Sequence, residues 1–301
     1  MLEKPFDRSG LASLDDLSTP LWHSLFSHLE TIQNEFTAAR PHCSDYPWPT
    51  DPLHNCTRVW EYPFVYHHLQ SHRGRFPARS LPKIVDLGSG ATFFPFAIAQ
   101  LDYSVIAVDA DARAKLSMDR AIGAVSTGAG AVTSLLSDAR SIALETESVD
   151  VFYCISVLEH IPDFQDVIAE VRRVLRPGGL FVLTFDVDLR GNGELGPASY
   201  TRLMDALHAS FSMIYSEKIV HPLRVLTSNN SIYPMYPKRS ALDPLVLPLK
   251  RYFRRAYNRL RQLESPAGPL LISTYGACLS KCDHSPRSDS DNAPPEPDAT
   301  P

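Results

Sequence analysis

Val85-Asp86-Leu87-Gly88-Ser89-Gly90-Ala91-Thr92 is the stretch on which the reading of this chain turns. The apolar run PKIVDL at 82–87 reads as a short buried strand, and FFPFAIAQL after the glycines reads as a helix. Gly88 and Gly90 therefore stand where a strand turns into a helix. Glycine permits a tight turn there and lets a ligand approach the backbone closely. The pattern suits either a bare turn or a turn that cradles a cofactor, and the strand–glycine–helix context favours the cofactor.

The same alternation continues downstream. SVIAVD at 104–109, AVTSLLSD at 131–138, VDVFYCIS at 149–156 and LFVLTFD at 180–186 read as strands. Helical patterns fill 111–125 and 163–175, the latter with Phe164, Val167, Ile168, Val171, Val174 and Leu175 at spacings of three and four, stopped by RPGG at 176–179. Continuous apolar strands suit a sheet covered on both faces. Their alternation with helices predicts a doubly wound, Rossmann-like α/β fold with right-handed crossovers. Ligands of such sheets bind beyond the C-terminal strand ends. That gathers the loop after Leu87, Asp109, Asp138 and the loop after Ile155 around one crevice.

Each of these positions has a chemistry to offer. Asp109, with Ala110 beside it, ends the second strand, where a carboxylate accepts hydrogen bonds from both hydroxyls of a ribose. Asp138 suits an adenine amino group or an ordinary turn cap, and Ala139 adds a backbone donor with little bulk. In the loop Ile155–Pro162, His160 lies at the mouth of the crevice. It reads equally as a group that orients or deprotonates an acceptor and as a structural histidine. Glu159 either fixes that imidazole or caps the next helix. A dinucleotide would want a third glycine at position 93, which is Phe93 in this chain. An adenosine ligand without a pyrophosphate fits better.

At this point the sequence resembles the class I S-adenosylmethionine-dependent methyltransferases, and within them the branch that methylates small molecules and lipids. VDLGSGAT at 85–92, VIAVD at 105–109, LLSDA at 135–139, DVFYCISVLEHIPD at 150–163 and VLRPGGLFVLTF at 174–185 carry the resemblance. It implies S-adenosylmethionine as cofactor. Asp86, Gly88, Ser89 and Gly90 would lie along its methionine part, Asp109 at the ribose, Asp138 and Ala139 at the adenine, and Ile155 near the backbone contacts. It also implies a seven-stranded, mostly parallel sheet. FSMIYSEKIV at 211–220, preceded by a helix over 201–209, would be the sixth strand. LLISTYGACLSK at 270–281 would be an antiparallel last strand inserted between its neighbours. The family often has a further glycine where Thr92 stands.

The periphery divides the chain into an N-terminal cap over 1–80, a methyltransferase domain over 81–281 with an insertion at about 221–268, and a disordered tail over 282–301. The cap contains an amphipathic pattern at 21–39, and Trp60 or Tyr62 is expected either to close over the cofactor or to pack the cap on the sheet. Arg58 is suited to pairing with a carboxylate. His67, His68 and His72 lack an acid or cysteine at ligand spacing, and Asp186-Val187-Asp188 is weak as a metal motif, so no metal is expected. LKRYFRRAYNRLR at 249–261 reads as a basic helix for surface packing or for an anionic lipid, a phosphorylated acceptor or another subunit.

Bulk properties narrow the function classes. A net charge of -5 without a long basic tract disfavours DNA as partner. No apolar run is long enough to span a bilayer, no secretion signal opens the chain, and five cysteines (Cys43, Cys56, Cys154, Cys278, Cys282) without a CxxC pair suit a reducing, cytoplasmic compartment. The expected activity is methyl transfer to an O or N atom of a small molecule, with a sugar-bearing metabolite as the guess for acceptor. The alternatives are methylation of protein or RNA, and a noncatalytic binding protein that keeps the fold.

Overall fold

The computed structural model describes residues 5–77, 80–191, 195–235 and 270–282; the basic stretch 249–261 and the tail from 283 lie outside the described residues. The strands are β1 (Gly10–Leu11), β2 (Lys83–Leu87), β3 (Ser104–Asp109), β4 (Ala131–Leu136), β5 (Val149–Ile155), β6 (Leu175–Asp188), β7 (Phe211–Met213) and β8 (Ile272–Lys281). They form one eight-stranded sheet in the order β1-β8-β6-β5-β2-β3-β4, with β7 also on β8. β2 to β6 run parallel, and β8 is antiparallel to β6. The strand order reverses at β2, so a crevice opens at its C-terminal end, where the glycine turn begins.

Residues alternate between two apolar layers along each central strand. Ile84, Val105, Val151, Tyr153 and Val182 face one layer; Val85, Val108, Phe152, Cys154 and Leu183 face the other. Helices α1 (Pro20–Ala38), α2 (Arg58–His72), α3 (Phe94–Ala99) and α4 (Ala112–Ala121) contribute to the first layer, and α5 (Phe164–Val174) and α6 (Pro197–Ser210) to the second. Asp111 starts α4 by accepting the Arg113 N–H at 2.8 Å. RPGG stops α5 as expected, but Arg176–Gly179 lies in a register shift within β6, between pairs Val149–Leu175 and Val151–Leu180.

The expected sixth strand is cut short. β1 occupies the edge of β8 at Tyr275 and Gly276, so the chain after Ile214 must leave that edge. It bridges to Ser9 instead, through Ser9 N to Ser216 O and Lys218 N to Ser9 O. The eighth strand is thus an N-terminal dipeptide with no periodicity to announce it.

α2 is the larger surprise, because Pro63 falls inside it. A proline there has no N–H for the carbonyl four residues back, which is that of Val59. The Trp22 indole N–H, from α1, donates to that carbonyl at 2.7 Å. A tertiary contact thus supplies the missing donor. Every residue from Val59 to Leu69 is buried, which is why α2 has little amphipathic signature.

Candidate functional site

The glycine turn is built by the backbone. Gly88 N and Ser89 N donate to Val108 O at 2.9 and 3.0 Å, which folds the chain back over the end of β3. Gly88 has φ +71°, and a Cβ on it would lie 2.5 Å from Val157 Cγ2. Only glycine satisfies both conditions at this position. Gly90 N donates to Asp109 Oδ2 at 2.8 Å, and Asp111 N donates to Asp109 Oδ1 at 2.8 Å. Asp109 therefore locks the turn to the next loop. Burial nonetheless raises its pKa, since these N–H donors offset only part of the desolvation.

Around this turn is a cavity of about 860 Å3, in the upper part of the range of roughly 300–1,000 Å3 usual for ligand pockets. It brings together Asp86, Gly88, Ser89, Gly90, Asp109, Ala110, Asp138, Ala139, Ile155, His160 and Tyr62. Trp60 is not in its lining. Its ring is fully buried, stacks on Phe64 at 4.5 Å and donates its indole N–H to Asp16 Oδ2 at 2.7 Å. Of the two aromatics expected to close the site, Trp60 is thus a core residue because α2 turns it toward β8, where it covers Gly276. Tyr62 faces the cavity and packs on Phe93 and Phe94. Phe93 is fully buried against Tyr62, and it is Phe94 that reaches the lining.

Asp86 is the most informative acid in the lining. It is buried, and its pKa is pushed up to about 8 by desolvation, with the Asp109 charge adding and the neighbouring Tyr153 hydroxyl opposing. No salt bridge among the described residues neutralises it. A ligand with a cationic group supplies what this carboxylate lacks. Asp138 is different: its carboxylate is gripped by Arg140 through Nε at 3.0 Å and Nη2 at 2.7 Å, and the Arg140 N–H adds a bond at 2.8 Å. Those hydrogen bonds hold its pKa down at about 2. Asp111 and Arg113 repeat the arrangement one strand earlier, from the same Asp-Ala-Arg sequence.

Beyond the glycine turn, a buried polar network underlies the cavity floor. Glu61, fully buried, pairs with Arg58, and its Oε1 accepts the Ser156 and Thr184 hydroxyls, each at 2.6 Å. Arg58 also donates to Ser156 Oγ. Burial opposes the Arg58 charge, but Glu61 and Asp186 more than offset it, so the guanidinium stays protonated. Glu159 neither fixes His160 nor caps α5: its Oε1 accepts the Asp186 N–H at 2.9 Å. Burial first, and the Asp186 charge second, raise the Glu159 pKa well above the usual carboxylate range. Asp186 is raised to about 6 by burial and Glu61, with Arg58 opposing. Asp188 is buried, and it accepts the Leu271 N–H at 3.0 Å and the Arg190 N–H at 3.1 Å.

Sequence reading missed Tyr46 and Arg140 in the cavity lining and gave Ser156 no role. Tyr46 lies in an irregular segment, yet its hydroxyl accepts the Ala91 N–H at 2.8 Å and lies over Gly90. The repeated Asp-Ala-Arg would have been a usable signal for Arg140. Nothing local marks Tyr46.

Residues 85–183 match the family model described as a methyltransferase domain. A ubiquinone biosynthesis O-methyltransferase of Cupriavidus pinatubonensis is 29% identical over 109 residues, 36% of this chain and 43% of that protein. One of the same name from a Chelativorans species is 29% identical over 147 residues, 47% and 56% of the two chains. An uncharacterized methyltransferase of Mycobacterium ulcerans is 33% identical over 119 residues, 39% and 45%. The matches thus span about half the length of these relatives. Among solved structures, a SAM-dependent methyltransferase of Aquifex aeolicus is similar with a TM-score of 0.41 and 13% identity, over 70% of this chain and 89% of that one. Residues 85–183, which hold the glycine turn and most of the parallel strands β2 to β6, are thus similar to a methyltransferase domain.

Proposed function

We propose that this protein transfers a methyl group from S-adenosylmethionine to an O or N atom of a small molecule. The observation that carries the reading is Asp86: a buried acid with no paired cation among the described residues, in a cavity whose other walls carry Asp109 and the loop 138–140. A methionine ammonium would neutralise it, Asp109 would receive a ribose, and Asp138 with Ala139 an adenine. The cofactor, when bound, supplies the electrophilic methyl on its sulfonium. The chain's own work is to hold the acceptor in line and keep water out.

The volume leaves room for a small acceptor beside a cofactor. His160, exposed at the cavity mouth, is the group we assign to orient an acceptor hydroxyl or take its proton. The two relatives named as O-methyltransferases of ubiquinone biosynthesis support an oxygen acceptor on a small molecule. A sugar-bearing acceptor remains our proposal for its class, and the cytoplasm our proposal for its place, supported by the five unpaired thiols. No helix among the described residues is long and apolar enough to cross a membrane.

Calorimetric titration with S-adenosylhomocysteine, alongside NAD, tests the cofactor step. One-site binding of S-adenosylhomocysteine alone is expected and would justify screening hydroxyl and amine acceptors for product. Selective NAD binding, or no S-adenosylhomocysteine binding by folded protein, would sink the proposal.

A further inference from the structure

Away from the cofactor cavity, α2 carries Trp60, Phe64, His68 and His72 at intervals of four residues, one stripe along a single helix face. The stripe runs over β8. Trp60 and Phe64 lie against Gly276, where a Cβ would meet their rings at 2.7 and 2.9 Å. Two residues along the same face of the strand is Cys278. The register thus brings His68 and His72 to a cysteine that lies more than two hundred positions away in sequence. One ligand atom from each of His68, His72 and Cys278 lies within 4.8 Å of the other two.

The histidines are prepared as ligands in different ways. His72 Nδ1 is 2.9 Å from the His68 carbonyl. A carbonyl only accepts, so Nδ1 carries the proton and Nε2 keeps its lone pair free, which is the usual state of a metal-bound imidazole. His68 is fully buried, and neither ring nitrogen makes a hydrogen bond of good geometry, although the Phe6 backbone is close enough to favour its charged form. An imidazole in that situation is an exception to the rule that buried polar groups are paired. Phe64 at 4.4 Å and Tyr215 at 5.1 Å hold its ring in place without satisfying it.

We propose that His68, His72 and Cys278 bind a borderline-soft transition-metal ion, Zn2+ in the first instance, which ties α2 to β8. Two imidazoles and a thiolate are a donor set for Zn2+ and not for Mg2+ or Ca2+, which take oxygen. Zn–N and Zn–S bonds of about 2.0–2.3 Å require the donors to move inward by roughly 1 Å, within reach of small side-chain rotations. Among the described residues no fourth His, Cys, Asp or Glu joins the group. The fourth position is then left to water, on the side of half-buried His72. The site is independent of the proposed methyl transfer, although the same helix supplies Arg58 and Tyr62 to the cavity.

The test uses the full chain, stripped of metal by chelation under reductant and titrated with Co2+, then with Zn2+ in competition. The expected result is one equivalent of Co2+ with a thiolate-to-cobalt charge-transfer band, displaced by Zn2+, and a higher Tm with Zn2+. Cys278→Ser and His72→Gln should lose the band, whereas Cys282→Ser, at a thiol outside the group, should keep it. X-ray absorption of the Zn2+-loaded wild type should give one sulfur and two imidazole nitrogens, a readout that needs no variant to fold. A folded wild type without the charge-transfer band, a band that survives Cys278→Ser, or a zinc shell without sulfur would each overturn the proposal.

Discussion

The Ser156 hydroxyl donates to Glu61 Oε1 at 2.6 Å, joining the end of β5 to the first turn of α2. Ser156 has φ +48°, an uncommon backbone state for a residue other than glycine. Its N–H is held by Thr184 O at 3.0 Å, and its side chain by Glu61, so the strained turn at the cavity floor depends on a carboxylate from the N-terminal region.

Glu61→Ala removes the acceptor for Ser156 and Thr184 and leaves the Arg58 charge without its nearest partner. Breaking a buried charged network in this one-sided way costs about 3 kcal/mol. The low end of the usual range applies because the Arg58 side chain is 22% exposed and water can reach it. Urea unfolding should show that loss at unchanged m-value, together with weaker S-adenosylhomocysteine binding. A loss below about 0.5 kcal/mol, the scale of ordinary surface changes, would mean that the network is decorative.

Asp109 is predicted to act twice, on the protein and on the ligand. Asp109→Ala frees the Gly90 and Asp111 N–H groups as well as removing the expected ribose acceptor. S-adenosylhomocysteine affinity should fall at least tenfold, about 1.4 kcal/mol. Gly88→Ala should also abolish binding, through the positive φ and the collision with Val157. Adding Val157→Ala removes the two closest contacts and leaves Val157 Cβ at 3.2 Å and the positive φ, so it should restore binding in part.

Most of the parallel sheet was legible because each central strand is an apolar run and each crossover helix has its own period, as in α5. Most of the cavity lining was legible for a related reason: strand-end acids and a glycine turn fall together once the strands are parallel. What escaped was tertiary in origin. α2 escaped because its proline is repaired by Trp22, and β1 because two residues carry no pattern. Trp60 and Tyr62 could not be told apart because both are aromatic, and only the helix phase decides that Tyr62 faces the cavity while Trp60 packs on the sheet at Gly276.

Asp86 gives a pH dependence with a definite sign. Its pKa is about 8 in the folded protein, against the ordinary aspartate value of 3.8. Between those values the folded state holds a proton that the unfolded chain has released, so stability falls as pH rises from about 4 to about 8. Asp186, at about 6, adds in the same direction over a narrower window. Asp86→Asn removes the larger contribution. Its Tm relative to wild type should climb across that interval and level off above about pH 8, with cofactor absent. A difference that stays flat with pH would show that Asp86 is ionised in the free protein.

Asp138 raises a question of competition. Its two oxygens are already engaged by Arg140, in a pair that is about half exposed on both sides. Arg140 already fills about three of the four acceptor positions of the carboxylate, so an adenine amino group would compete with the guanidinium for the Oδ2 side. Arg140→Ala should therefore strengthen S-adenosylhomocysteine binding about threefold, under 1 kcal/mol and in keeping with the small worth of a solvent-screened contact. Asp138→Ala should weaken it about tenfold. A 6-oxo analogue of the ligand, which presents an acceptor where adenine presents a donor, separates this from a general charge effect. Wild type and Arg140→Ala should reject the analogue, because two acceptors would face each other without a proton. Asp138→Ala should lose that discrimination. If Arg140→Ala instead weakens binding of both ligands equally, Arg140 is itself a ligand contact, and the adenine lies over the guanidinium rather than against Asp138.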